Sequence, residues 1–511
     1  MSKKVIPKSS MLVEKALKKI NTGDQNHLED NHEEKPKLPK AIFIFRRDLR
    51  VVDNTGLIAC SKDYDVCPLF IFTPEQVDEN PFKSSNAIQF MIESLLDLKF
   101  AVDKLGGNLS TFYGNYLDVL ELLVRENEIK AIYLNKDYSP YSLKRDANIK
   151  ALASRLKIDY REFDDLLLMG NLDAVSSEDG KKYNYFMHFH KRCQKLPKRH
   201  IDETEVTNWG QLKANTYTIT NFKEFCLNNE FYQENDKIAS RGGRKNALLR
   251  LDNFSKNWTH HKELRHFPGF EDGTSLLSAH NKFGTISIRE VYWYFETTFG
   301  EESDLVRQLY WRDFNYYLAH HFPEIHKGTP IPAKMQYKNV EWSSDQSLFQ
   351  RWCDGDTGFP LIDAGMRQMN ATGHMHHRAR LAVANFLTKD MLLNWKLGEK
   401  YFSTKLVDID WSQNVGNWMW CAGTGADASP WLKIFNPHIQ AKKVDPECIY
   451  IKKWIPELKS VPAKAILDWA NEYKNHEKTG YPGPMLDHDK QKVLAMQAYK
   501  VSKFKGDSNN A

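Results

Sequence analysis

Between His374 and Pro437 the chain gathers side chains that a purely structural segment has little use for. A His-Met-His-His-Arg run is followed by two acids two positions apart, Asp408 and Asp410, and by Asn414, with Trp395, Trp411, Trp418 and Trp420 interspersed. A carboxylate taken out of water is costly unless a cation or N–H groups meet it, so the two acids ask for a polar ligand. Two acids in a polar turn is the plain alternative, and the spacing alone favours it. Indole rings offer stacking faces and easily oxidised π systems, although for any one of the thirteen Trp a core or rim position is the commoner role. His374, His376 and His377 have no Cys or carboxylate nearby to complete a tetrahedral set, so no metal is expected. A second polar concentration, Gly273-Thr274-Ser275-Leu276-Leu277-Ser278, puts hydroxyls and N–H groups at an expected helix start, where anions are favoured. Standing alone, its TSxxS spacing is an ordinary N-cap.

These residues need a frame. Leu381, Ala384, Leu387, Met391 and Trp395 recur at the helical period and predict one buried face. Further upstream, short apolar runs at 41–45, 66–72, 109–112, 131–134 and 158–163 read as strands. Helical patterns at 86–105, 116–125 and 142–156 lie between them, the β-α-β rhythm of a parallel sheet. No GxGxxG or P-loop marks that sheet. Residues 170–236 have weak periodicity and a basic-aromatic stretch, Phe186–His200, whose preferred role is structural, across a domain interface. After Ser240 the chain is helix-rich to about Tyr499. The length of 511 residues favours two domains. Residues 1–40 are polar and should form a disordered leader, while 501–511 read as a short polar tail. Lys plus Arg exceeds Asp plus Glu by 71 − 66 = 5, which permits a nucleic-acid partner without demanding one. Seven Cys without a CxxC pair, no membrane-length apolar run and no secretory segment predict a soluble intracellular protein with reduced thiols.

Taken with Phe45-Arg46-Arg47-Asp48-Leu49-Arg50 and with Trp352–Arg367, WCDGDTGFPLIDAGMR, the 374–437 segment resembles the DNA photolyase and cryptochrome family, over residues from about 41 to about 469. The resemblance implies a Rossmann-like parallel-sheet antenna domain at 41–170, an interdomain linker at 171–239, and a helical domain at 240–500 that holds FAD. It also implies blue-light electron transfer from reduced flavin to a DNA lesion. For FAD it points to Thr274, Ser275, Leu276, Leu277, Ser278, Gln308, Arg312, Arg380, Asp408, Ile409, Asp410 and Asn414, and to His261 where a Tyr is usual. Leu276 departs from the family's common Arg. Arg380 should pair with one of the two acids, and Asn414 should face flavin N5, a position where Asn is typical of repair enzymes rather than photoreceptors. Trp342, Trp395 and Trp418 match the family's electron-transfer series.

For damaged DNA the resemblance implies stacking walls at Trp311 and Trp420, with Arg265, Gln308, His377, Arg378, Leu381, Lys433 and Gln440 around them. Gln308 and His377 match enzymes acting on (6-4) lesions, but the second His of that pair falls at Leu381, which cannot transfer a proton. Cyclobutane-dimer repair is therefore the preferred expectation, with (6-4) repair or a cryptochrome-like photoreceptor as alternatives. A monomer, without membrane contact, is expected, in the nucleus or another DNA-containing compartment. Tyr141 and Ser142 stand where folate-using enzymes place Asn and Glu, which leaves folate, a deazaflavin, another flavin or no second chromophore open.

Overall fold

The computed structural model describes residues 38–78, 80–177, 180–256, 264–270, 273–427 and 432–507. His261 and most of the expected leader lie outside these residues. Five short runs, the last of them the largely polar and exposed edge strand, form one sheet: β1 (Lys40–Ile44), β2 (Asp65–Phe72), β3 (Ser110–Tyr113), β4 (Ala131–Asn135) and β5 (Asp159–Phe163), in the order β3-β2-β1-β4-β5. All four pairings are parallel, with Ile42 in register with both Cys67 and Ile132. β1, β2 and β4 are buried almost throughout, as strands covered on both faces must be. Alternation sends Phe43, Phe70, Phe72 and Tyr133 into one core and Ile42, Leu69, Ile132 and Leu134 into another.

Helices α1 (Thr55–Ser61), α2 (Ser85–Lys104), α3 (Tyr116–Asn127) and α4 (Pro140–Leu156) complete this body. The sequence pattern did not announce α1, whose start is fixed by the Asn54 side chain accepting from Leu57 N. In α5 (Phe186–Gln194), Phe186, Phe189 and Cys193 enter the helical core. Val206, Ile219, Phe222 and Phe231 then return to the core on the sheet. The segment after the sheet thus packs on both bodies, which gives the apolar positions of the basic-aromatic stretch a structural role.

The helical body contains α6 (Arg244–Lys256), α7 (Ser278–Phe283), α8 (Ile288–Phe299), α9 (Asp304–His321), α10 (Pro360–Thr372), α11 (His377–Asn385), α12 (Trp395–Lys405), α13 (Trp411–Ala422) and α14 (His488–Asp507). The apolar period from Leu381 to Trp395 is not one helix. α11 stops at Asn385, Phe386–Asp390 makes a π-helical turn, Leu392 takes φ 49°, and Asn394 caps α12 by accepting from Lys396 N. Ala384, Leu387, Met391 and Trp395 are nevertheless all buried, because each piece keeps its apolar side inward. At the far end, α14 continues to Asp507, past the expected end of helix near Tyr499.

The two bodies are locked by buried charges. Asp165 accepts from Arg50 Nη2 at 2.7 Å and from Arg289 Nη2 at 2.8 Å, and Arg289 Nε reaches Asp53 Oδ2 at 2.8 Å. Arg289 belongs to α8 and its partners to the sheet body. All seven Cys are free and buried, and among the described residues no helix is long and apolar enough to cross a membrane.

Candidate flavin and lesion site

Asp410 is the N-cap of α13, with Oδ1 accepting from Gln413 N at 3.1 Å. Its Oδ2 accepts from Arg47 Nη2 and from the Tyr316 hydroxyl. Arg47 stands in the loop after β1 and also donates to Asp137 Oδ1 at 3.1 Å. Asp408 is the acid that pairs with Arg380, whose Nη2 lies 3.1 and 3.0 Å from its two oxygens. Arg380 is aimed by its Nε, which donates to Met375 O at 2.8 Å. Burial pushes both acids up, but Arg380 and His374 beside Asp408, and Arg47 and Tyr316 beside Asp410, outweigh it. Both carboxyls are held below the usual carboxylate range.

Asn414, one turn into α13, donates through Nδ2 to Glu399 O at 3.0 Å, Glu399 Oε1 at 3.0 Å and Ser403 Oγ at 3.1 Å. With the amide nitrogen committed, Oδ1 is left without a hydrogen-bond donor among the described residues. Thr274 and Ser275 precede α7, whose N-cap is Leu277 with no side-chain cap, so the TSxxS hydroxyls do not serve the helix. Leu276 sits in the left-handed region at φ 52°, a cost of roughly 1–2 kcal/mol for an L residue. The Ser278 hydroxyl lies on the Asp408 side and helps hold that carboxyl low. Ile409 is half-buried between the two acids. Arg312 spends its guanidinium on Leu166 O at 3.0 Å and Asn281 O at 3.3 Å, bracing α9 against the neighbouring segments.

Trp418 and Trp395 are buried and Trp342 is half-buried. Trp418 leans on α12 so closely that a Cβ on Gly398 would lie 2.1 Å from its ring, which is why a residue without a side chain stands there. Trp395 opens α12. Trp342 is drawn alongside through Ser343 N, which donates to Leu392 O at 2.7 Å. The three indoles therefore lie on adjoining elements.

Trp311 stacks on Phe186 with centroids 3.8 Å apart and planes 8° from parallel. Phe186 N donates to Asp427 Oδ1 at 3.0 Å, and Trp420 Nε1 donates to Asp427 O at 3.3 Å. One bridge, Phe186–Asp427, thus ties the two expected walls together. Gln308 and His377 are exposed, Leu381 is half-buried and packed on the helical core, and Gln440 is half-buried. The exposed Lys433 has Nζ 5.6 Å from the Trp420 ring centroid. Arg378 Nη2 meets His266 Nδ1 at 2.7 Å, and Arg265 pairs with Asp304 at 2.6 Å. Sequence reasoning missed Arg47, Tyr316, Glu399, Phe186, Asp427 and His266. Of these, Tyr316 and His266 lay outside the stretches whose composition stood out.

The order of the sheet reverses between β1 and β4, where doubly wound sheets place ligands at the strands' carboxyl ends. That crevice is lined by Arg46, Arg47, Asn135 and Asp137. Arg46 binds Asp146 and Asn135 O across it, and Ser142 Oγ donates to Asp137 at 2.8 Å. A second chromophore here would have to displace these arginines.

A parallel sheet joined to a helical body that walls in a carboxylate–guanidinium pair defines a class, and two family models match it. One for DNA photolyase covers residues 41–207, and one for the FAD binding domain of DNA photolyase covers 305–501. The deoxyribodipyrimidine photo-lyase of Halobacterium salinarum is 30% identical over 493 residues, covering 90% of this chain and 98% of the relative. That of Alkalihalophilus pseudofirmus is 32% identical over 480 residues, with 90% and 98% covered. Among solved structures, the Sulfolobus tokodaii archaeal photolyase with two FAD molecules is 36% identical, with a TM-score of 0.76 and 90% and 100% of the two chains covered. A class III photolyase from Agrobacterium tumefaciens gives a TM-score of 0.81 at 29% identity, with 93% and 99% covered. The chain belongs to the DNA photolyase family.

Proposed function

We propose that this chain is a deoxyribodipyrimidine photo-lyase, splitting cyclobutane pyrimidine dimers in DNA under blue light. What carries the reading is its similarity, over 90% of the chain, to relatives of that name. The side chains present fit FAD: an acceptor-rich wall at Asp408, Asp410 and Asn414 suits ring N–H groups, and hydroxyls at Thr274, Ser275 and Ser278 suit a diphosphate. Bound there, FAD supplies the light-driven electron. Arg380 and Asp408 would orient the ring edge, and Arg47 would keep Asp410 charged from the antenna side. Asn414 would present Oδ1, holding N5 with an acceptor and no acidic proton, because Glu399 and Ser403 consume its N–H groups. Leu277, Ile409 and Arg312 would shape the pocket without charge transfer. The domain limits 41–170, 171–239 and 240–500 belong to the same reading.

A dimer must leave the duplex to reach this pocket, which costs a few kcal/mol that stacking walls repay. Trp311 and Trp420 supply those walls, with Gln308, His377 and Leu381 at the rim. The apolar Leu381 favours the cyclobutane lesion over the (6-4) product, since it offers no proton. Trp311→Ala is expected to weaken binding of a dimer-containing oligonucleotide by about 1–3 kcal/mol, with FAD absorbance unchanged in the same preparation. Arg265, Arg378, Lys433 and Gln440 would meet the backbone. Lys433→Ala should weaken binding to damaged and undamaged DNA alike and reduce the salt slope by about one. A salt titration in filter binding measures both. A preparation that binds FAD yet leaves dimer-containing DNA unrepaired in blue light would overturn the proposed activity.

A further inference from the structure

Outside the residues assigned to flavin and lesion, one trio of ligand-type side chains converges among the described residues: Asp173, His320 and His321. A ring nitrogen from each histidine and a carboxylate oxygen of Asp173 lie within 4.8 Å of one another. The two histidines end α9, about 14 Å along the helix from Trp311. Asp173 stands in the 3-10 turn Leu172–Ala174, so the trio joins two elements far apart in sequence. Both backbones are anchored. Leu172 is 2% exposed in the helical core, Asn171 Oδ1 accepts from Asp173 N at 2.9 Å, and Phe322 N donates to Leu318 O at 2.8 Å. An exposed ion pair is the plain account of two members: His320 Nε2 meets Asp173 Oδ1 at 3.0 Å, with side chains 32% and 68% exposed, and such pairs contribute little. It does not account for His321. That ring packs edge-on against Tyr317, centroids 4.4 Å apart, and its Nε2 is buried with no hydrogen-bond partner among the described residues. A buried ring nitrogen costs stability unless something meets it.

We propose that Asp173, His320 and His321 hold a divalent transition-metal ion of the zinc type, with water completing the coordination. The ion pins the turn Leu172–Ala174 to the end of the helix that carries Gln308, Trp311 and Arg312. Two imidazoles and one carboxylate are ligands that borderline ions such as Zn²⁺ take, whereas Mg²⁺ and Ca²⁺ ask for oxygen throughout. The spacing agrees. Tetrahedral ligands at about 2.0–2.1 Å from a metal lie about 3.3 Å from each other, and the His320–Asp173 pair is already at 3.0 Å. Asp173 and His320, being exposed, are the two side chains that close on the buried nitrogen of His321. Lys182 is a neighbouring cation whose charge opposes the ion, and it is exposed and able to turn aside.

The test uses the full-length, untagged protein with FAD bound and metal first removed by a chelator. It is titrated with Zn²⁺ against a chromophoric chelator, and with Cu²⁺ in electron paramagnetic resonance. Wild type should take up one equivalent of Zn²⁺ at sub-millimolar concentration, undisturbed by a large excess of Mg²⁺, and its Cu²⁺ spectrum should carry hyperfine structure from two imidazole nitrogens. His320→Ala and His321→Ala should each weaken Zn²⁺ binding at least as much as loss of an outer partner does, by about tenfold or more. Asp173→Asn should weaken it less, and Lys182→Ala should tighten it. His188→Ala, which alters an exposed histidine outside the trio, should change nothing. In chelator the Asp173 and His320 variants should melt with wild type, because both side chains are exposed, and with Zn²⁺ present only wild type should gain thermal stability in full. Zn²⁺ taken up only at millimolar concentration, or equally by wild type and a His320→Ala/His321→Ala double variant, would overturn the site. Displacement by Mg²⁺ would overturn its assignment to a zinc-type ion.

Discussion

Asp165→Ala is expected to destabilise the protein by about 3–5 kcal/mol, because it takes the paired carboxylate from the buried Arg50 and leaves the buried Arg289 with Asp53 alone. Arg50, Arg289 and Asp165 are each about 2% exposed, so water cannot take over the lost bonds. Thr55 would lose a partner as well, since its N and Oγ1 both donate to Asp165 Oδ1. Arg289 comes from α8 and Asp165 from the sheet body, so the loss falls on the joint that holds Arg47 against Asp410. Flavin retention should drop along with the melting temperature. Burial alone would raise the Asp165 carboxyl, but Arg50 and Arg289 drive it far below the ordinary range. A depressed carboxylate stabilises the fold fully above its unfolded pKa of about 3.9 and loses that contribution as pH falls toward the native value. Urea titrations of wild type and variant should therefore differ by a constant amount from neutral pH down to about 4 and converge only in stronger acid.

Trp418→Phe is expected to take photoreduction of oxidised FAD below detection while enzyme reduced chemically beforehand still repairs. Phenylalanine fills most of the indole's place beside Gly398 and Phe402, whose ring is 5.0 Å away, so the fold should hold. Its ring is far harder to oxidise, so the proposed series of Trp418, Trp395 and Trp342 would lack one of its donors. Absorbance under continuous blue light with an external reductant is the measurement. Undiminished bleaching would remove Trp418 from the series.

The parallel sheet was legible because β1, β2 and β4 are near-continuous apolar runs separated by helical periods, and buried strands cannot be written otherwise. The break after Asn385 was not legible. Both pieces keep the same apolar phase, and nothing in Phe-Leu-Thr-Lys-Asp distinguishes a π-helical turn from an α-helical one. At the site, Asp408 with Arg380 could be matched through motif resemblance. The partner of Asp410 could not, because Arg47 lies 363 positions away and meets it only when the two bodies dock. Glu399 was hidden for a different reason: a single acid in a Lys-rich helix reads as solvated surface until the fold turns it toward Asn414. Phe186 belonged to a stretch whose composition was noticed, but its stacking on Trp311 depends on a contact between α5 and α9 that no periodicity encodes.

The most direct test of the proposed activity uses the FAD-bound, reduced protein and oligonucleotides carrying one cyclobutane dimer or one (6-4) photoproduct, illuminated with blue light or kept dark. Light-dependent restoration of the cyclobutane substrate alone is the expected result. A protein that holds reduced FAD and binds the dimer but restores neither substrate, or restores only the (6-4) photoproduct, would contradict it.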